Sequence, residues 1–387
     1  MKRLIFLLVF LGLISGVLHP DGKNYIIEEV NGVKVYKNQD KPSVEGLVIS
    51  PRKIFEIRGT GVDIKDKARE FEWPRSVDID SKGNIFILDT QSASIKKFSQ
   101  DGTFITTFGR RGSGPDEMSY PPYIVILNDV VYAADPYEKR ILKFDTAGKY
   151  LDNIKLKTST PNFVQKINDD KVIGYLSQDI PDEGKEDSFT SFFNLHLMNN
   201  QFESIAILNE YKRESNPAKN DFIDRYTAYA IGTDKIFVAE NSETRYRINV
   251  FDFNGKQLYA IEKEYTAIKF SKEELEELNT SLKNFYKRFQ VSANVPPIEA
   301  EHKKAISGIY CDKEGQLLVA SSVERNENNR WDFLVDVFKD GVFLKKVKLD
   351  ILKGHDYVKI HDEKIFFKGN RIYHVDEPTS IVSAFEY

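Results

Sequence analysis

Short runs in which apolar and polar residues alternate, each bounded by Gly, Asn or Asp, follow one another along most of the chain. Ile85-Phe86-Ile87-Leu88-Asp89 and Val131-Tyr132-Ala133-Ala134-Asp135 are two such runs, 46 residues apart. Ile95-Lys96-Lys97-Phe98 and Ile141-Leu142-Lys143-Phe144 repeat at the same offset, and Asp101-Gly102 then falls on Ala147-Gly148. Alternation of period two predicts half-buried strands, and the punctuation predicts hairpins. A self-similar unit of four short strands predicts a β-propeller, because one such sheet cannot bury both of its faces alone.

Six units can be counted: Trp73 to Arg110, Tyr120 to Leu156, Asn162 to Ile207, Arg225 to Glu262, Ala305 to Leu349 and Asp356 to Tyr387. The last runs short of strands. Arg52-Lys53-Ile54-Phe55-Glu56-Ile57-Arg58-Gly59 resembles the outer strand Thr103–Gly109, so it is expected to supply the outer strand of the sixth blade. Pairing the two chain ends removes free edges. The fold expected is all-β, a six-bladed propeller of four-stranded blades over residues 47–387, with one inserted amphipathic helix between blades four and five. Residues 20–46 read as an N-terminal extension, a hairpin packed on the outside.

Turns such as Asp80-Ser81-Lys82-Gly83, Asn254-Gly255 and Asp340-Gly341 are short, whereas residues 109–122, 177–188, 209–224, 262–304 and 321–330 hold the surplus length. In a four-stranded blade the long class emerges on one face, and function on repeat scaffolds collects where insertions do. The insertion 262–304 contains a helix signal. Ser271 and Glu274 make a capping box, and Leu275, Leu278, Leu282, Phe285 and Phe289 follow at three- and four-residue steps. This stripe is expected to bury against the rim or mouth of the ring, as a lid or a buttress; docking of a partner through Phe285 and Phe289 is a third use.

Composition narrows the partners. The 55 basic and 59 acidic residues leave a net charge of −4 with no basic pole, which argues against nucleic acid. Residues 1–19 read as a signal peptide or uncleaved anchor. Lys2 and Arg3 precede an apolar run from Leu4 to Leu18, short for a membrane span. The expected location is therefore exported: periplasmic, cell-envelope or extracellular. Any membrane contact would run through that N-terminal segment, and the chain is expected to be a monomer. Cys311 is the only cysteine, so no intrachain disulfide forms, and its strand-end position suits a buried thiol.

Trp73-Pro74-Arg75-Ser76-Val77-Asp78-Ile79-Asp80, then Gly83-Asn84 with Ile85 to Asp89, Ile95 to Phe98 and Gly102-Thr103-Phe104, resembles an NHL-type repeat. The following Phe108-Gly109-Arg110-Arg111-Gly112-Ser113-Gly114-Pro115 looks like the glycine-rich segment of exported bacterial six-bladed propellers of that group. The likeness covers residues 73–156 well and weakens afterwards. It implies fold and compartment more than activity, since such folds host binding modules, lyases and lactonases.

The chemistry on offer is sparse. His19, His196, His302, His355, His361 and His374 show no helical zinc spacing, and no Gly-X-Ser-X-Gly elbow is present. No cofactor is predicted. Asp89, Asp135 and Glu240 share the strand-end position and could hold Ca²⁺ in a metal-dependent lyase or lactone hydrolase, which is the alternative function. The same positions suit carboxylates that close their own loops. The preferred reading is a binding module for a protein, peptide or glycan. Its candidate residues are Arg75, Arg110, Arg111, Tyr123, Asp135, Tyr137, Arg225, Tyr226 and Glu240, all assigned to the insertion-rich face or channel mouth.

Overall fold

The computed structural model describes residues 23–42, 44–61, 66–184, 188–214, 226–288, 296–325, 333–351 and 363–387. Residues 1–22, Arg225, Phe289, His355 and His361 lie outside them. The strands form six sheets arranged as successive blades. Blade one is Pro74–Ile79, Ile85–Asp89, Ser94–Phe98 and Phe104–Phe108. Blade two is Ile124–Leu127, Val130–Asp135, Arg140–Asp145 and Tyr150–Lys155. Blade three is Asn162–Lys166, Lys171–Pro181, Phe189–Asn199 and Ser204–Asn209. Blade four is Tyr229–Ile231, Ile236–Ala239, Tyr246–Phe251 and Gln257–Lys263. Blade five is Ile306–Cys311, Leu317–Ser321, Leu334–Lys339 and Val342–Leu349.

Blade six joins Glu363–Lys368, Arg371–Asp376 and Ile381–Glu386 to the early strand Arg52–Arg58. Ile57 pairs with Val382 and Phe55 with Ala384, so the ring closes between chain ends as the sequence likeness predicts. The core lies between blade faces. Phe86, Leu88 and Ile95 of blade one meet Ile124, Ile126 and Leu142 of blade two in one buried cluster. Inner strands are also tied sideways: Ile126 N–H donates to Asp78 Oδ2 at 2.8 Å, and Ser76 Oγ bonds both backbone groups of Ile124. Side chains of one blade thus satisfy the backbone edge of the next.

The N-terminal residues extend two more blades. Tyr25–Val30 and Val33–Asn38 form a hairpin whose second strand pairs in parallel with Gln257–Lys263, on the outer edge of blade four. Val44–Ile49 pairs in parallel with Val342–Leu349 of blade five. The buried Asn38 joins the two blades. It donates to Glu262 O and Gly341 O at 3.1 and 3.0 Å, and accepts from Phe343 N–H at 2.8 Å.

The helix Lys272–Arg288 begins with the capping box: Glu274 N–H donates to Ser271 Oγ, and Ser271 N–H to Glu274 Oε2 at 2.8 Å. The described part of its apolar stripe packs within the insertion itself. Leu278 and Leu282 pack on Ile298, Phe270 and Ala300 of the same insertion. Asn279 adds a two-way bond to the backbone of Ile298. The insertion supplies its own returning segment, so the expected burial on the rim is replaced by burial within the insertion. It is anchored to blade five through Lys303, Glu274 and Arg325.

Candidate binding face

The trim face is built from one local device. An Asp at the end of a strand accepts two backbone N–H groups from a tight turn that contains Gly. Asp145 accepts from Ala147 and Lys149, both at 2.9 Å; Asp252 from Asn254 and Lys256 at 2.8 and 2.9 Å; Asp312 from Glu314 and Gln316 at 2.9 and 2.8 Å. These carboxylates are consumed by the turns. The opposite face carries the long connections, and the candidate residues sort there into three groups.

Arg110 and Arg111 belong to the glycine-rich loop after blade one, and Asp135, at the end of the second strand of blade two, accepts from Ser119 N–H of that loop. Arg110 Nε donates to Glu117 Oε1 at 2.8 Å, which holds the Glu117 carboxyl below its usual range. Arg111 donates to Ser119 O at 2.8 Å and to Thr90 O and Gln91 O, tying the loop back to blade one. The buried Asp135 pairs with Arg140 at 3.2 Å, and Arg140 donates onward to Gly114 O and Glu117 O at 2.8 and 2.9 Å. Burial raises the Asp135 carboxyl against the opposing pull of Ser119 N–H and Arg140. These side chains shape the loop.

Asp89 and Glu240 behave alike. Asp89 accepts from Trp73 N–H at 2.9 Å, Gln91 N–H at 3.2 Å and Ser92 Oγ at 2.5 Å. Glu240 faces Arg245 at 3.5 Å and Arg247 at 3.8 Å. Asp89, Asp135 and Glu240 therefore close separate loops in blades one, two and four, and the structure does not bring them together. Among the described residues, no three His, Cys, Asp or Glu side chains are grouped to hold a metal ion. His196, on the third strand of blade three, bonds Ser204 Oγ through Nδ1 at 2.7 Å.

Arg75 stands at the mouth between blades six and one. Its guanidinium lies 5.2 Å from the centroid of the Trp73 ring, and its Nε is 3.9 Å from Glu377 Oε1. Lys364 Nζ reaches the same oxygen at 2.8 Å, and Trp73 Nε1 donates to Glu377 Oε2 at 2.5 Å. One buried carboxylate thus gathers two cations and an indole.

The third group is aromatic and centres on Tyr226, between blades three and four. Phe163 and Tyr175 meet its ring edge-on, each at 4.9 Å with interplanar angles of 68° and 75°; Phe193 does so at 6.0 Å and 78°. Phe163 sits at φ +52° with 45% of its surface exposed, and its carbonyl accepts the Tyr229 hydroxyl. A bulky residue in the left-handed region is an outlier that surrounding structure must hold in place. Tyr175 Oη is fixed to Thr227, donating to its carbonyl at 2.7 Å and accepting from its N–H at 2.8 Å. Tyr123 is 3% exposed, and among the described residues its hydroxyl has no hydrogen-bond partner. Burial, and then the neighbouring Tyr229, pushes that hydroxyl well above the phenol range. Beside the group, Lys171–Pro181 and Phe189–Asn199 make a hairpin longer than in any other blade, with Lys212–Glu214 paired on its far end. Tyr137, 76% exposed, projects from blade two.

Of the candidates, Tyr226 lies in a cluster open to solvent, Arg75 in a semi-buried charge group, and Tyr137 stands exposed alone. Phe163, Tyr175, Phe193, Trp73, Lys364 and Glu377 were not among them. Trp73 lies within the repeat motif; the others carry no motif along the chain, and only tertiary contact distinguishes them.

Solved structures similar to this chain include an exported protein from Bacteroides fragilis NCTC 9343, at 12% identity, with 91% of this chain and 98% of that chain covered and a TM-score of 0.47. Virginiamycin B lyase from Staphylococcus aureus is similar at 12% identity, covering 86% and 98%, with a TM-score of 0.41. Regucalcin from Agrobacterium tumefaciens matches at 8% identity, covering 88% and 95%, with a TM-score of 0.42. No curated protein matches the sequence. Among the described residues, no helix is long and apolar enough to cross a membrane. Residues 75–329 match the family DUF5128, a 6-bladed beta-propeller, and with most of the chain inside that match the protein belongs to this family.

Proposed function

We propose that this propeller is an exported interaction module that grips an extended peptide segment of a partner protein on its insertion-rich face, at the aromatic mouth between blades three and four. One observation carries the reading: Phe163 is half-exposed, in a backbone conformation unfavourable to Phe, against the ring of Tyr226. Strain of this kind persists where it positions a group for use. Exposed aromatic anchors beside a fixed wall are what peptide recognition uses, and the long hairpin of blade three offers that wall. The enzyme alternative needs ligands converging on the channel, whereas Asp89, Asp135 and Glu240 are each held by their own loops.

Export rests on the Lys2-Arg3 start and the apolar run Leu4 to Leu18, and on the NHL-type likeness of residues 73–156. Sequencing the N-terminus of protein recovered from its native host tests it: a start beyond residue 18 supports export, and an intact Met1 opposes cleavage. For the binding face, peptides selected on the purified protein should lose about tenfold or more in affinity with Phe163→Ser, as expected for an aromatic anchor. Peptides that bind the variant equally well would place recognition elsewhere.

A further inference from the structure

A recurrent contact seals neighbouring blades near the trim face. The Gly in the turn between the third and fourth strands of one blade packs against the outer strand of the blade before it. A Cβ on Gly148 would lie 2.6 Å from the Phe108 ring, one on Gly255 2.6 Å from Ala206, and one on Gly102 2.9 Å from Phe55. At blade five the partner of Gly341 is different. A Cβ there would lie 2.7 Å from the ring of Tyr36, which belongs to the added N-terminal hairpin and not to blade four's own outer strand. The contact has moved outward by one strand, roughly 5 Å.

That displacement leaves a cleft of about 190 Å³ between blades four and five. Its base is lined by the half-buried Tyr259 and by the nearly covered Phe237 and Phe338, and its rim carries Asp234, Glu314 and Asp340. Tyr259 is itself held edge-on by Tyr36, at 5.3 Å. The rim also carries two lysines: Lys235 pairs with Asp234, at 3.0 and 3.1 Å, which leaves Glu314 and Asp340 beside Lys339. After burial, Asp340 is the leading cause that raises the Tyr259 hydroxyl.

We propose that this cleft binds a small organic ammonium ion, an alkylamine or a quaternary amine. Aromatic rings attract such a cation through their negative faces, and rim carboxylates balance its charge without stripping it of all water. A neutral molecule of the same shape would gain the apolar floor and neither electrostatic contribution. Among the described residues, no three His, Cys, Asp or Glu side chains are grouped to share an inorganic cation. The site is on the face opposite the peptide mouth and does not depend on that reading.

The test is calorimetric titration of the full protein with choline and with its neutral isostere, 3,3-dimethylbutanol. Choline should bind saturably, and the neutral alcohol about tenfold or more weaker. Asp340→Asn, in a turn whose left-handed backbone Asn tolerates, should weaken choline severalfold and leave the alcohol unchanged. Equal binding of the two ligands would show a cleft that reads shape alone and would overturn the proposal. So would a failure of choline, tetramethylammonium and putrescine all to saturate. The ligand pair is compared on the unaltered protein, so the result stands even if a variant folds poorly.

Discussion

Lys263 and Asp336 form an ion pair 3.1 Å apart in which the side chains are only 3% and 1% exposed. Asp336 also accepts the Tyr246 hydroxyl at 3.0 Å, and Lys263 lies 5.1 Å from the ring centroids of both Tyr246 and Phe343. Lys263 reaches Asp40 at 2.7 Å, just beyond the N-terminal hairpin. Blade four, blade five and the hairpin therefore meet on one buried charge pair. Lys263→Met would leave Asp336 buried with only the more distant Lys346, 3.9 Å away, as its counter-ion, at a cost of up to about 3 kcal/mol. Adding Asp336→Leu to that variant should recover much of the loss. Urea unfolding of both variants checks this, and a double variant as unstable as the single one would refute the charge argument.

The helical insertion has a lock of the same kind. Lys303 is buried and paired with Glu274 at 2.6 Å, while Glu274 also closes the capping box. Glu274→Ala should loosen the insertion and leave the ring folded, because its apolar stripe packs within the insertion. Limited proteolysis should then cut within residues 262–304 first, with unfolding of the remaining ring little changed. Ser271→Ala removes only the cap and should cost about 1 kcal/mol of helix stability.

Glycines with positive φ separate into two cost classes. Gly32, at φ +78°, has nothing within 4 Å of a would-be Cβ, so Gly32→Ala should cost about 1 kcal/mol from backbone strain alone. Gly148→Ala adds a collision with Phe108 and should cost clearly more. Thermal unfolding of the pair measures the difference. Equal losses would mean that the Phe108 contact is slack.

Alkaline pH should unfold the ring through its buried hydroxyls and thiol. Burial pushes Tyr310 and Cys311 each up to about 12, and burial raises Tyr123, Tyr175 and Tyr246 further. Their folded values exceed the unfolded ones, so the folded state holds more protons at high pH. Their contribution is full below the unfolded values, roughly 8.5 for the thiol and 10 for the phenols, and is lost as pH rises through the folded ones. Tyrosinate absorbance should therefore appear together with loss of strand signal. Cys311 is half-buried, and its raised thiol should alkylate more slowly in the native protein than in urea. Equal rates in the two states would contradict that cover.

Much of this was legible along the chain. The alternating runs mark strands because a half-buried sheet requires period two, and Asp145, Asp252 and Asp312 mark turns because their bonds span only four residues. The likeness of residues 52–59 to blade one's outer strand disclosed the closure, and Ser271 with Glu274 disclosed the helix start. The candidate site was less legible. Arg110, Arg111 and Asp135 carry the chemistry of binding residues, yet Glu117, the backbone of blade one and Arg140 respectively occupy them.

Chain order encodes the local features: strand period, turn chemistry, the cap and the repeat that implies six blades. These depend on interactions within a few residues, where chain order and spatial order agree. Contacts between distant residues emerge only in the folded ring. They include the parallel pairing of Val33–Asn38 with Gln257–Lys263, the burial of Lys263 against Asp336, the gathering of aromatic rings at Tyr226 and the cleft under Gly341. A side chain's partner in these cases is set by how two blades happen to meet, and no spacing along the chain encodes that meeting.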